Sequence, residues 1–142
     1  MMGFATVCAT DAATRIGDAG DATYVDVRTV AEFAGGRPRG RAVNLPVLFH
    51  HPQGGEPYPN EAFALVAQHA LAADTPLIVG GTGDARADRA AALLAEAGFS
   101  DVGVLGGGIE AWRAAALPVT GDNRPGVSYV SLLTAARRAK GA

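Results

Sequence analysis

The chain has 142 residues, 49% hydrophobic and 18% charged, the profile of one compact globular domain and not of a disordered, collagenous or coiled-coil chain. Twelve Lys and Arg against 14 Asp and Glu supply no bulk basic surface for nucleic acid or anionic lipid, and no apolar run nears the ~20 residues that span a bilayer. A single cysteine, Cys8, excludes an intramolecular disulfide framework.

The amino end, MMGFATVCATDAATR, lacks a basic start followed by an apolar stretch, so a cytoplasmic protein is expected. Residues 10–16 read as a short helix, and residues 23–27 (TYVDV) as the first strand. A second short helix follows around 30–34, and residues 42–45 (AVNL) form the next strand. Residues 50–59, dense in Gly and Pro, resist regular structure. Asn60 can cap a helix in which Phe63, Val66, Ala67, Ala70 and Leu71 make one apolar face. Residues 76–79 (PLIV) are a strand. The helix after it, about 86–97, turns Ala90, Leu93, Leu94 and Ala97 inward, with Gly98 at its C′ position. Residues 101–105 are the last strand, and 109–115 a helix. Residues 120–126 read as a linker, and the tail carries a weak apolar stripe in Val130, Leu133 and Ala136 ahead of basic residues.

This alternation predicts an α/β domain: a small, mainly parallel sheet of about five strands with helices on both faces. One domain is expected over 1–120, with a linker and short helix over 121–142. In such sheets ligands sit beyond the carboxyl ends of the strands, which singles out the loop Gly80-Gly81-Thr82-Gly83-Asp84-Ala85-Arg86. Its glycines suit backbone amides arranged around an anion, with the helix dipole behind them and Arg86 supplying charge. They equally suit a tight turn in a chain with 19 glycines, about twice the usual ~7% frequency.

Several stretches resemble the single-domain rhodaneses, a sulfurtransferase family: YVDVRTVAEFAGG, RAVNLP and LLAEAGFSDVGVLGGGIEAWRAAALPV, together spanning about residues 24–119. The resemblance implies an α/β fold and a loop cysteine that accepts a sulfane sulfur as a persulfide, in a pattern like LIVGC-x-x-G-x-R-S. With LIVG before the loop and ARADRAAALLAEAGF after it, that cysteine falls on Gly81, the loop glycine on Asp84, the arginine on Arg86 and the serine on Ala87. Only Arg86 keeps the pattern. Persulfide transfer needs a thiolate whose pKa is lowered by amides and a helix N-terminus, and glycine supplies none.

The binding loop is thus expected at Gly81, Thr82, Gly83, Asp84, Ala85 and Arg86, with Gly81 and Arg86 at the catalytic positions. Asp84 is expected to cap the following helix and partly occupy the loop. Asp26 and Arg28 are auxiliary, either reaching the loop rim or forming a buried pair. Arg37, Arg39 and Arg41 in GGRPRGRA read as a solvated loop, Cys8 as a small buried hydrophobe, and Trp112 as core. Gly106-Gly107-Gly108 is read as a turn ahead of the Trp112 helix. His50 and His51 lack the spaced ligands that a metal requires, and no cofactor is implied.

The leading expectation is a rhodanese-like protein without sulfurtransferase activity, a binding or regulatory module. The alternative is a thiosulfate or persulfide sulfurtransferase whose cysteine is substituted at Gly81, or one that uses Cys8. A small sulfur-containing anion or persulfide donor is the expected ligand of a competent loop, and a protein partner the expected contact of a module. A phosphatase related by fold lacks the same thiol, and a purely structural module would meet its partner through the basic tail.

Overall fold

The computed structural model describes residues 4–50, 53–82 and 85–141. In chain order its elements are β1 (Ala5–Val7), α1 (Ala9–Ile16), β2 (Thr23–Asp26), α2 (Val30–Ala34), β3 (Arg37–Pro38), β4 (Ala42–Asn44), β5 (Leu48–Phe49), β6 (Tyr58–Pro59), α3 (Phe63–Ala70), β7 (Leu77–Gly80), α4 (Arg86–Glu96), β8 (Val102–Leu105), α5 (Gly108–Ala114), β9 (Val119–Thr120) and α6 (Tyr129–Gly141). Five strands form one sheet in the order β1-β8-β7-β2-β4, and every neighbouring pair is parallel.

The four expected strands occupy the centre and one edge of that sheet. The fifth, β1, was not expected: ATV has no apolar run, Ala5 and Thr6 stay exposed, and the segment is a strand only through its pairing with β8. Two further pairings correct the loop expectations. Tyr58–Pro59 pairs antiparallel with Leu48–Phe49 inside the stretch read as irregular, and Thr120, read as linker, pairs with Arg37 in β9. The helix cap expected of Asn60 is not formed: its Oδ1 accepts from Ala62 N at 3.0 Å in the turn ahead of α3, whose N-cap is Ala62 with no side-chain cap bond and whose first residue is Phe63.

Alternate residues of the strands feed two apolar layers. Tyr24, Ile78 and Leu105 pack against α1 and α5 through Ala12, Ile16, Ile109 and Trp112, which places Trp112 in the core. Val25, Val27, Leu77 and Val79 pack against α3, α4 and α6 through Val66, Leu94 and Leu132. Helices therefore cover both faces, as a buried parallel sheet requires. α6 lies against α3, but on a different stripe from the expected one: Tyr129, Leu132 and Ala136 are buried while Val130 is exposed. The Tyr129 hydroxyl lies 3.0 Å from Asn60 Nδ2, which donates to it and to Pro46 O.

One contact fixes the end of β7. The fully buried Tyr24 sets its hydroxyl where a Cβ on Gly80 would stand. Gly80→Ala is expected to cost about 1–3 kcal/mol by overpacking. Tyr24→Phe, which removes the overlapping oxygen, should recover part of it, a coupling that denaturant unfolding of the two single variants and the double variant measures. Strictly additive losses would refute this packing assignment.

Candidate active site

The parallel strands end on one carboxyl edge, where a ligand meets the loops that follow them. β7 delivers Gly81 to this edge, buried and hydrogen-bonded through its carbonyl to Ile109 N of α5 at 2.9 Å. Gly83 and Asp84, with the helix cap expected of Asp84, lie outside the described residues, as does His51. Ala85 and Arg86 resume the chain at the start of α4. Beside them a cleft of about 320 Å³ is lined by Leu48, Ala85, Arg86 and Arg89.

Arg86 does not stand alone over the loop. Its two terminal nitrogens donate to Glu32 Oε1 at 3.0 Å and Oε2 at 3.3 Å, and Nη2 also donates to Thr82 Oγ1 at 3.1 Å. Glu32 is fixed in turn by α2. Thr29 caps that helix, its Oγ1 accepting from Glu32 N while Thr29 N donates back to Glu32 Oε1 at 3.0 Å. The reciprocal cap pins the carboxylate, and the carboxylate orients Arg86 and, through it, Thr82. Glu32 was missed as a site residue, although the Thr-x-x-Glu spacing at 29–32 marks it as the far end of a cap.

Burial pushes the Glu32 carboxyl up, but the hydrogen bonds from Arg86 and Thr29 and the charge of Arg86 outweigh it and hold the group at about 2, below its ordinary 4.5. A depressed carboxyl pKa adds stability that is complete above about 4.5 and is lost as pH falls toward 2. Screening at a side chain 36% exposed leaves this worth about 1 kcal/mol. Glu32→Gln is expected to narrow the stability difference between pH 5 and pH 2.5 by that amount in urea unfolding. An unchanged difference would refute the assignment.

Asp26 and Arg28 follow the structural reading. Asp26 is fully buried and Arg28 is 4% exposed. Arg28 Nε donates to Asp26 Oδ1 at 2.9 Å and Nη2 to Oδ2 at 2.7 Å, with Nη2 also donating to Gly36 O at 2.8 Å. The pair lies beneath the edge and ties β2 to the turn after α2, while Val27 N donates to Gly80 O to hold the end of β7. Burial pushes the Asp26 carboxyl above its ordinary range against the pull of Arg28.

Cys8 is exposed, which corrects the buried reading. It follows the edge strand β1 as the N-cap residue of α1, and its Sγ lies 3.4 Å from Thr10 Oγ1. The strand register pairs Val7 with Leu105 and Val79 with Val104, so Cys8 follows β1 at the level where Gly81 follows β7, with β8 between the two strands. The turn between them is the glycine run: Gly107 and Gly108 take φ of 74° and 59°, the left-handed region that favours glycine. Arg37 also departs from expectation. It is 2% exposed: β3 pairs with β9, and its guanidinium donates to Asp122 O beyond that strand and to Pro38 O and Gly40 O of its own turn.

Comparison with known proteins bears on this edge. The family model described as a rhodanese-like domain matches residues 9–115. Thiosulfate sulfurtransferase 18 of Arabidopsis thaliana is 33% identical over 97 residues, covering 68% of this chain and 70% of the relative. Among solved structures, the Alr3790 protein from Anabaena sp. superposes with a TM-score of 0.67 at 27% identity over 82% of each chain. The thiosulfate sulfurtransferase from Pseudomonas aeruginosa does so with a TM-score of 0.66 at 27% identity, over 82% of this chain and 20% of its own. With the parallel sheet and the helices on both faces already described, these matches make the chain a member of the rhodanese-like sulfurtransferase family.

Proposed function

We propose that this chain is a rhodanese-like binding or regulatory module that does not itself transfer sulfur, and that residues 81–86 form its working surface. The observation that carries this reading is Gly81: the position where the family's cysteine falls is buried and has no side chain to accept a sulfur atom. The charge balance of the loop supports it, since Arg86 is matched by Glu32. A guanidinium already paired with a carboxylate attracts a sulfur oxyanion less than an uncompensated one does. Asp26 and Arg28 serve this surface as positioning residues, holding the strand end from below.

A second reading rests on Cys8, which is exposed and level with Gly81. Thiosulfate-to-cyanide sulfur transfer by the unmodified chain decides between them. The expected result is no thiocyanate above the protein-free control. Turnover that disappears in Cys8→Ser would establish the second reading, and turnover that survives it would overturn both.

A further inference from the structure

At the amino edge of the sheet, away from residues 81–86, a cleft of about 610 Å³ is lined by Arg37, Arg39, Arg41, Arg124, Asp18 and Asp122, among others. A second cleft of about 410 Å³ shares Arg37, Arg41 and Arg124 with it. The partners of these arginines are unusual. Arg37, 2% exposed, donates to Asp122 O at 3.3 Å, Pro38 O at 2.9 Å and Gly40 O at 3.1 Å, and its guanidinium carbon lies 5.4 Å from the Phe33 ring centre. Arg41 donates to Ala22 O at 3.0 Å, Gly20 O at 2.7 Å and Arg15 O at 3.3 Å.

Carbonyl oxygens satisfy N–H groups without cancelling their charge. Among the described residues no carboxylate pairs with Arg37, Arg39 or Arg41, whereas Arg124 pairs with Asp122 at 3.0 Å. Four guanidinium groups therefore face two carboxylates, an excess of two positive charges around one concavity. Burial lowers the Arg37 pKa, and the charge of Asp122 only partly opposes it. Arginines that served only to tie loops would lie equally well beside acidic neighbours. Here the acidic side falls short by two.

We propose that this cleft binds a doubly charged oxyanion, a phosphate or sulfate group either free or carried on a small organic molecule. Guanidinium forks match such a group bidentately, and its two negative charges close the balance. Buried Arg37 and exposed Arg41 are held in place by their carbonyl bonds, while Arg39 and Arg124 are exposed arms, Arg124 lying against Asp122. The site does not depend on the sulfur-transfer reading of the loop.

The test is a titration of the full chain with inorganic phosphate, followed by amide NMR shifts, against potassium chloride at matched ionic strength. Saturable shifts are expected at Gly40 and Thr120, with no equivalent in chloride. Arg39→Gln with Arg124→Gln, both exposed and chosen to leave the buried Arg37 intact, should weaken binding by about tenfold or more. Ribose 5-phosphate binding more tightly than phosphate would assign the group to an organic molecule, and equal binding to the free ion. Shifts that fail to saturate, match those in chloride, survive the double substitution, or occur only at the residues flanking 83–84 would overturn the proposal.

Discussion

Gly81→Cys is expected to convert an inactive chain into a measurable sulfurtransferase, raising thiocyanate formation on the order of a hundredfold or more over the unmodified chain. Part of the frame for the chemistry is in place: Gly81 directly follows the central strand β7, ahead of the 11-residue helix α4, and its carbonyl is fixed by Ile109 N. A thiol at the N-terminal side of that helix gains thiolate character from the helix dipole. The thiolate would attack the outer sulfur of thiosulfate, breaking the S–S bond with release of sulfite and leaving a persulfide. Cyanide then takes the terminal sulfur as thiocyanate and regenerates the thiolate. The gain is expected to stay below what a tuned loop gives, because Arg86 remains engaged by Glu32. Turnover in Gly81→Cys but not in the unmodified chain would mean that one missing side chain silences the site. No turnover in either would mean that the loop beyond position 81 no longer supports transfer, and would leave the site to binding alone.

The central fold was legible because its signals are local. LIVG and TYVD are short runs rich in apolar and β-branched residues, buried throughout, and the GF step after α4 carries its own stop: Gly98 at φ 107°, with Phe99 N bonded back to Leu94 O at 3.1 Å. What escaped depends on partners distant in sequence. β1 is a strand only because β8 lies beside it. The burial of Arg37 depends on residues 119–122, since GGRPRGR by itself has the composition of a solvated turn. Glu32 illustrates the boundary within one residue. Its cap to Thr29 spans three positions and can be read from the spacing, whereas its ion pair with Arg86 spans 54 and cannot. The candidate site was read from resemblance and the strand-end rule, but the pairing of Arg86 was not, because its carboxylate partner arrives from another helix.

Arg28→Ala is expected to cost about 3–5 kcal/mol at pH 7, the largest stability loss among these predictions, because it strands a buried carboxylate. Asp26 accepts from Arg28 N at 3.1 Å, Nε at 2.9 Å and Nη2 at 2.7 Å, and the substitution keeps only the backbone bond. It also removes the donor to Gly36 O, loosening the turn after α2. The loss should depend on pH in a defined direction. Burial already pushes the Asp26 carboxyl above 3.8 and Arg28 pulls it back, so without Arg28 the folded-state pKa rises further. A carboxyl whose pKa is higher in the folded than in the unfolded state destabilises progressively as pH climbs from the unfolded to the folded value. The deficit of Arg28→Ala relative to the unmodified chain should therefore shrink near pH 4 and reach its full size at neutral pH. Asp26→Ala leaves a buried guanidinium that acid does not neutralise, so its deficit should persist at pH 4. Arg28→Lys should recover only part of the loss, since one ammonium cannot reproduce the fork that meets both carboxylate oxygens. Denaturant unfolding of the three variants at the two pH values separates these outcomes, and equal, pH-independent deficits for Arg28→Ala and Asp26→Ala would show that packing, not the charge pair, holds this end of β2.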